Sequence, residues 1–199
     1  MPGSSDTERC GKNDLPNSTR CSRNFNTRRS HVNAPTRDST PDRLTTARKS
    51  DRELVVTRTF NAPRTLVFKA WSDAELFKRW WVPKSAPITL VSCEMDVRTG
   101  GGYKLVFTHP DAPEPMAFFG KYIEVIPPSR IVWTNEEAGE AGQVTTVTFE
   151  EQDGRTLCVM HDLYPSKEAL DEAIASGSTS WNDETFDQLD AVLAEGRGR

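Results

Sequence analysis

The sequence predicts an α+β fold built on an antiparallel sheet. Apolar side chains alternate along several extended runs, and the punctuation between those runs is too short for parallel crossovers. Apolar stripes at helical spacing occur only after the first strand and at the C-terminal end.

Leu54, Val56 and Phe60 share one face of the first strand. Ala62-Pro63 then opens a helix, because proline is tolerated in a first turn. Leu66, Val67, Ala70 and Trp71 form its apolar stripe. Ser72-Asp73-Ala74-Glu75 offers a capping box for a second short helix through Leu76, Phe77 and Trp80, which Pro83 stops. A strand over 88–97 leads to the turn Gly100-Gly101-Gly102. Tyr103, Leu105, Phe107 and His109 then alternate with Lys104, Val106 and Thr108. After a loop rich in proline and acid, strands are expected at 117–126, 130–136, 143–151 and 155–163, with Asp153-Gly154 as a tight hairpin between the last two. The strands form a meander. From Ser166, Leu170, Ala173 and Ile174 begin a helical pattern that Gly177 interrupts, and Trp181, Phe186, Leu189, Val192 and Leu193 resume it, giving a long or kinked C-terminal helix.

Residues 57–83, with their strand, two helices and the aromatic stop Trp80-Trp81-Val82-Pro83, resemble the beginning of the SRPBCC (START/Bet v1-like) superfamily. The branch they are most similar to is the C-terminal domain of the activator of Hsp90 ATPase. The resemblance continues in Asp96-Val97-Arg98-Thr99-Gly100-Gly101, in the run from Gly120-Lys121-Tyr122 to Arg130-Ile131-Val132, and in Trp181-Asn182-Asp183-Glu184-Thr185-Phe186. It implies a helix-grip (Bet v1-like) fold: a curved sheet wrapped around the C-terminal helix, two short helices closing one end, and a cavity between helix and sheet. The pattern departs at Val82, where the family usually has glycine, and at Ser180, where a glycine commonly precedes the tryptophan.

Charge divides the chain of 199 residues. Residues 1–50 hold ten Lys and Arg against five Asp and Glu, the remainder fifteen against twenty-four. The first part is poor in apolar residues and has no period, so it is expected to be a disordered basic tail, one that could also stem from a wrongly assigned start. Its acids speak against a transit leader, and no aromatics interleave its arginines as a nucleic-acid platform would require. The domain, expected over 51–199, is acidic and would repel phosphate. No apolar run approaches a bilayer span, so no membrane association is expected and the protein is expected in the cytoplasm. Cys10, Cys21, Cys93 and Cys158 lack CxxC spacing, which argues against zinc or a structural disulfide. No metal, cofactor or nucleic acid is expected, and the chain is expected to be a monomer or homodimer.

The sequence contains no nucleophile elbow, phosphate loop or His-carboxylate metal spacing. His161 alternates with Leu157 and Val159 and is read as pointing inward; His109 ends a strand beside a loop. These two, with Tyr122, are the weak candidates for proton transfer. Asp96 and Arg98 share a strand face and are expected to pair across to other charges. Trp71, Trp80 and Phe186 lie on helical stripes and are expected in the core. The resemblance places Trp81, Phe107, Trp133 and Trp181 near the cavity, and Phe119, Tyr122 and Met160 are added as candidate wall residues. Binding of a small apolar or aromatic molecule is therefore the leading expectation. The alternatives are co-regulation of an Hsp90-type chaperone ATPase and a cyclase or dehydratase using a pocket histidine.

Overall fold

A computed structural model of the chain describes residues 44–137, 142–177, 179–180 and 182–196. Thr45–Arg48 forms a strand, β1, inside the segment expected to be irregular up to residue 50. It pairs antiparallel with β2 (Glu53–Phe60), from Thr45↔Thr57 to Arg48↔Leu54. Its side chains show no apolar alternation, because an edge strand held by backbone hydrogen bonds alone imposes little on side-chain choice. The remaining tail positions, 1–43, lie outside the described residues, as does Trp181.

Six further strands follow: β3 (Thr89–Met95), β4 (Gly102–Thr108), β5 (Met116–Ile126), β6 (Arg130–Thr134), β7 (Val144–Gln152) and β8 (Arg155–Leu163). They make one large antiparallel sheet in the order β1-β2-β8-β7-β6-β5-β4-β3. The meander is thus as expected, and β2 closes against β8 through Val56↔Met160 and its neighbours. Asp153 and Gly154, at φ 53° and 74°, provide the left-handed pair of a two-residue hairpin between Gln152 and Arg155.

Helix α1 (Arg64–Ser72) buries Val67, Phe68, Ala70 and Trp71. Helix α2 is shorter than its apolar pattern implies, spanning Ala74–Phe77 before the chain tightens into turns through Trp80. Asp73, rather than Ser72, caps it, accepting hydrogen bonds from the Glu75 and Leu76 amides at 3.0 and 3.2 Å. Ser72 instead donates to the Phe68 carbonyl within α1. The C-terminal pattern resolves into two helices, α3 (Lys167–Ala175) and α4 (Asn182–Gly196). Gly177 adopts φ 77° between them, a conformation that ends a helix instead of kinking it.

Val56, Phe60, Trp80, Val147, Phe149, Cys158 and Leu189 are essentially inaccessible and form the centre of the core between the sheet, α1 and α4. A smaller cluster of Leu54, Tyr164 and Leu170 seats α3. Arg58 projects from β2 beneath α4, where its guanidinium meets Asp187 at 2.8 Å and also pairs with Asp190. Gln188 reaches from α4 to donate to the carbonyls of Trp80 and Val82 at 2.9 and 2.8 Å. Backbone acceptors left over at the end of the α2 turn are thereby satisfied by a different helix. Asp96 and Arg98 bond to each other at 2.9–3.0 Å and are exposed, so the pair forms within one segment and not across the sheet. Among the described residues, no helix is long and apolar enough to cross a membrane.

Candidate functional site

Residues directly opposite one another in an antiparallel sheet share a face, so the register assembles rows of side chains across the strands. One row runs Tyr122↔Trp133↔Thr145↔Asp162↔Leu54 through β5, β6, β7, β8 and β2. The next runs Val125↔Ile131↔Val147↔Met160↔Val56. All five side chains of the first row, with Ile131 and Met160 of the second, line a cavity of about 530 Å³. On the opposite side it is walled by Trp71, Phe77, Trp81 and Val82 from the helix pair, and by Thr185 and Phe186 from α4. Phe107 of β4 and Phe118 of β5 complete the aromatic wall, their rings 5.3 Å apart edge to face.

Polarity changes along the strand direction. The second row is wholly apolar; the first adds Thr145 and Asp162; and two residues further along the strands come Asn135, Gln143 and Tyr164, which also line the cavity. Asp162 is 6% exposed and Thr145 2%. The Thr145 hydroxyl donates to Asp162 Oδ1 at 2.6 Å. The Tyr103 hydroxyl lies 2.6 Å from Asn135 Oδ1 and 3.0 Å from the Thr134 carbonyl. Burial drives the Asp162 pKa up, against the opposing pull of hydrogen bonds from Thr145 and Gln143 and of nearby His161. Burial likewise raises the phenols of Tyr103 and Tyr122, and pushes Tyr164 up to about 12, so these hydroxyls stay protonated and able to donate.

Of the residues proposed from sequence, the structure brings Trp81, Phe107, Tyr122, Trp133 and Met160 to this cavity. Phe119 is not there: it has the opposite parity to Tyr122 on β5, and Phe118, itself 44% exposed, lines the cavity rim in its place. His161 does not point inward either. Thr156, Cys158, Met160 and Asp162 are the buried positions of β8, and His161 takes the other face, where its Nε2 lies 3.0 Å from Glu53 Oε1. The parity was ambiguous in sequence because Leu157 and Val159 are as apolar as Cys158 and Met160. Hydrogen bonds from Ser50 and then His161 hold the Glu53 carboxyl below its usual range. His109 also stands outside the cavity, its Nδ1 accepting the Asp111 amide at 3.0 Å. Val82, expected from the resemblance to stand where glycine is usual, forms part of the cavity wall, and the Ser180 hydroxyl donates to the Gly177 carbonyl at 2.6 Å. No motif in the sequence marks Asp162, Thr145, Gln143 or Asn135; only the correct parity of β8 reveals the carboxyl. Among the described residues, no group of three or more His, Cys, Asp and Glu side chains is placed to hold a metal ion.

The raised Asp162 pKa has a signed consequence. The folded protein holds this proton more tightly than the unfolded chain, so the contribution is fully present below the ordinary carboxylate pKa and is lost as pH rises through the higher folded value. The Asp162→Asn variant is expected to lose less stability over that interval than the wild type, as read from urea midpoints measured across the acidic range. Parallel curves for the two proteins would show that Asp162 does not titrate differently in the folded state.

A sequence model of the family described as Activator of Hsp90 ATPase homolog 1-like protein matches residues 61–194. Among solved structures, a Rhodobacter sphaeroides protein superposes with a TM-score of 0.69 at 22% identity, covering 77% of this chain and 99% of its own. A Mycobacterium smegmatis protein gives 0.66 at 28% identity with the same two coverages. A Staphylococcus epidermidis protein gives 0.63 at 27%, covering 76% of this chain and 94% of its own. No curated protein matches the sequence. With the match spanning both short helices, the sheet from β3 to β8 and most of α4, this chain belongs to the Activator of Hsp90 ATPase homolog 1-like family.

Proposed function

We propose that the domain binds a small, mainly apolar molecule in the cavity between the sheet and the C-terminal helix. The observation that carries this reading is the cavity itself: about 530 Å³, within the usual range for small-molecule sites, with aromatic walls drawn from the helix pair, the sheet and α4. Protein interiors ordinarily fill such space, and side chains facing an unfilled void forgo dispersion contacts, so a bound molecule stabilises them. Enzymatic proton transfer by a pocket histidine loses its support, since neither His161 nor His109 lines the cavity. The family description keeps a second reading open, stimulation of an Hsp90-type ATPase; an unchanged chaperone turnover rate on adding the protein would remove it.

The test is native mass spectrometry of the full chain purified from its own host, paired with titration of its tryptophan fluorescence by naphthylethanol. Trp71, Trp81 and Trp133 line the cavity and report directly on its occupancy. A retained small-molecule mass or a saturable fluorescence change is expected. A clean unliganded mass together with no saturable response would overturn the reading.

A further inference from the structure

The cavity's wall is chemically lopsided. Among the described residues that line it, Asp162 is the sole acid, and none is lysine, arginine or histidine. Asp162 is 6% exposed, and its carboxyl receives hydrogen bonds from neutral partners, the Thr145 hydroxyl at 2.6 Å and the Gln143 side chain. His161 attracts it from the other face of β8, where its own partner is Glu53, but no cation stands beside the carboxyl among the described lining residues; a carboxylate buried in that way is disfavoured unless an opposite charge arrives or it takes up a proton. Along the same row of the sheet Trp133 and Tyr122 lie two and three strands from Asp162, so they offer aromatic surface to the body of a molecule held there.

Resting on the ligand-binding reading above, we propose that the molecule taken into this cavity is an amine: an aromatic or aliphatic body against Trp71, Trp81, Phe107 and Met160, with a protonated nitrogen paired to Asp162. The ammonium supplies, inside the cavity, a positive charge that the described lining residues do not. It also donates more hydrogen bonds than a hydroxyl, and Asn135 and Gln143 stand at the same end of the cavity with amide oxygens able to accept them. An anionic molecule would meet this acid and, among the described lining residues, no base.

The experiment compares three probes of one size and shape, naphthylethylamine, naphthylethanol and naphthylacetate, by calorimetry and tryptophan fluorescence on the full chain. The amine is expected to bind about tenfold or more tightly than the alcohol, the increment of a charge-assisted hydrogen bond, and the acetate most weakly. In the Asp162→Asn variant the amine is expected to fall to the level of the alcohol. Equal or tighter binding of the alcohol or the acetate by the wild type would overturn the amine proposal while leaving a ligand site in place. Failure of all three to bind would overturn the ligand-binding reading and this proposal with it. The wild-type comparison decides the matter even where the variant folds poorly.

Discussion

Replacing Gly120 with alanine is expected to cost about 3 kcal/mol, through backbone displacement rather than lost contacts, and to lower the thermal midpoint by roughly 6–12 °C. A Cβ built on Gly120 would lie 1.8 Å from the carbonyl oxygen of Thr134 and 3.0 Å from a ring carbon of Tyr103. The first of these atoms is main chain, so no side-chain rotation relieves the clash, and β5 and β6 must separate just before the register break between Tyr122 and Glu124. Tyr103 sits opposite Gly120 on β4, and its hydroxyl crosses β5 to reach Thr134 and Asn135. The missing side chain gives the ring its passage, an arrangement in which an aromatic covers a strand glycine. The same substitution is therefore expected to weaken naphthylethylamine binding in addition to destabilising the domain. Gly102→Ala is the control, because its Cβ would meet the Gly120 carbonyl at a much milder 3.2 Å. A Gly120→Ala protein that melts together with Gly102→Ala would contradict the close approach.

The second large effect is expected at Trp80, whose replacement by alanine should destabilise the domain by about 3–5 kcal/mol. Trp80 is fully buried, its indole N–H donates to the Ala70 carbonyl at 3.0 Å, and its ring packs edge-on against Trp71 at 4.8 Å and Phe77 at 5.3 Å. Truncation would remove the link between α1 and the turn after α2, and leave a void next to a cavity the protein already maintains. Trp80→Phe separates the contributions: it retains most of the buried ring but leaves the Ala70 carbonyl without its donor, for a loss of about 1–3 kcal/mol. Chemical denaturation of both variants measures the two increments. A phenylalanine variant as unstable as the alanine one would mean that the hydrogen bond, not the ring, holds this corner.

Much of the fold was legible because its signals are local. The Asp153-Gly154 hairpin, the glycine turn after β3 and the alternation of Tyr103, Leu105 and Phe107 each follow from backbone preference or from a single buried face. The edge strand β1 was hidden because pairing at an edge asks for hydrogen bonds and not for apolar side chains. The break between α3 and α4 was visible as Gly177, but its positive φ, which makes two helices of one pattern, is a tertiary outcome. The site was only half legible for a related reason. Aromatic residues announced a cavity wall, while the side chain that gives the wall its chemical sense, Asp162, looks in sequence like one more acid on a strand. Choosing between His161 and Asp162 required the parity of β8, which is fixed by the pairing of β2 and β7 on either side of it. Phe118 and Phe119 posed the same problem one residue apart, and the aromatic that the sequence favoured proved to be on the wrong side.

The rows that cross the sheet divide labour in a way that bears on how this scaffold could diversify. Val56 of β2 and Val147 of β7 are inaccessible and hold the core, whereas Leu54 and Thr145, two residues along those strands, face the cavity together with Asp162 of β8. If the cavity takes the amine proposed above, exchanging Thr145 and Asp162 as a pair would change which molecule is preferred while the layer beneath keeps the strands in register. On that reading, chains descended from one ancestor would drift toward different ligands by substitutions confined to a single transverse line, with the fold inherited intact.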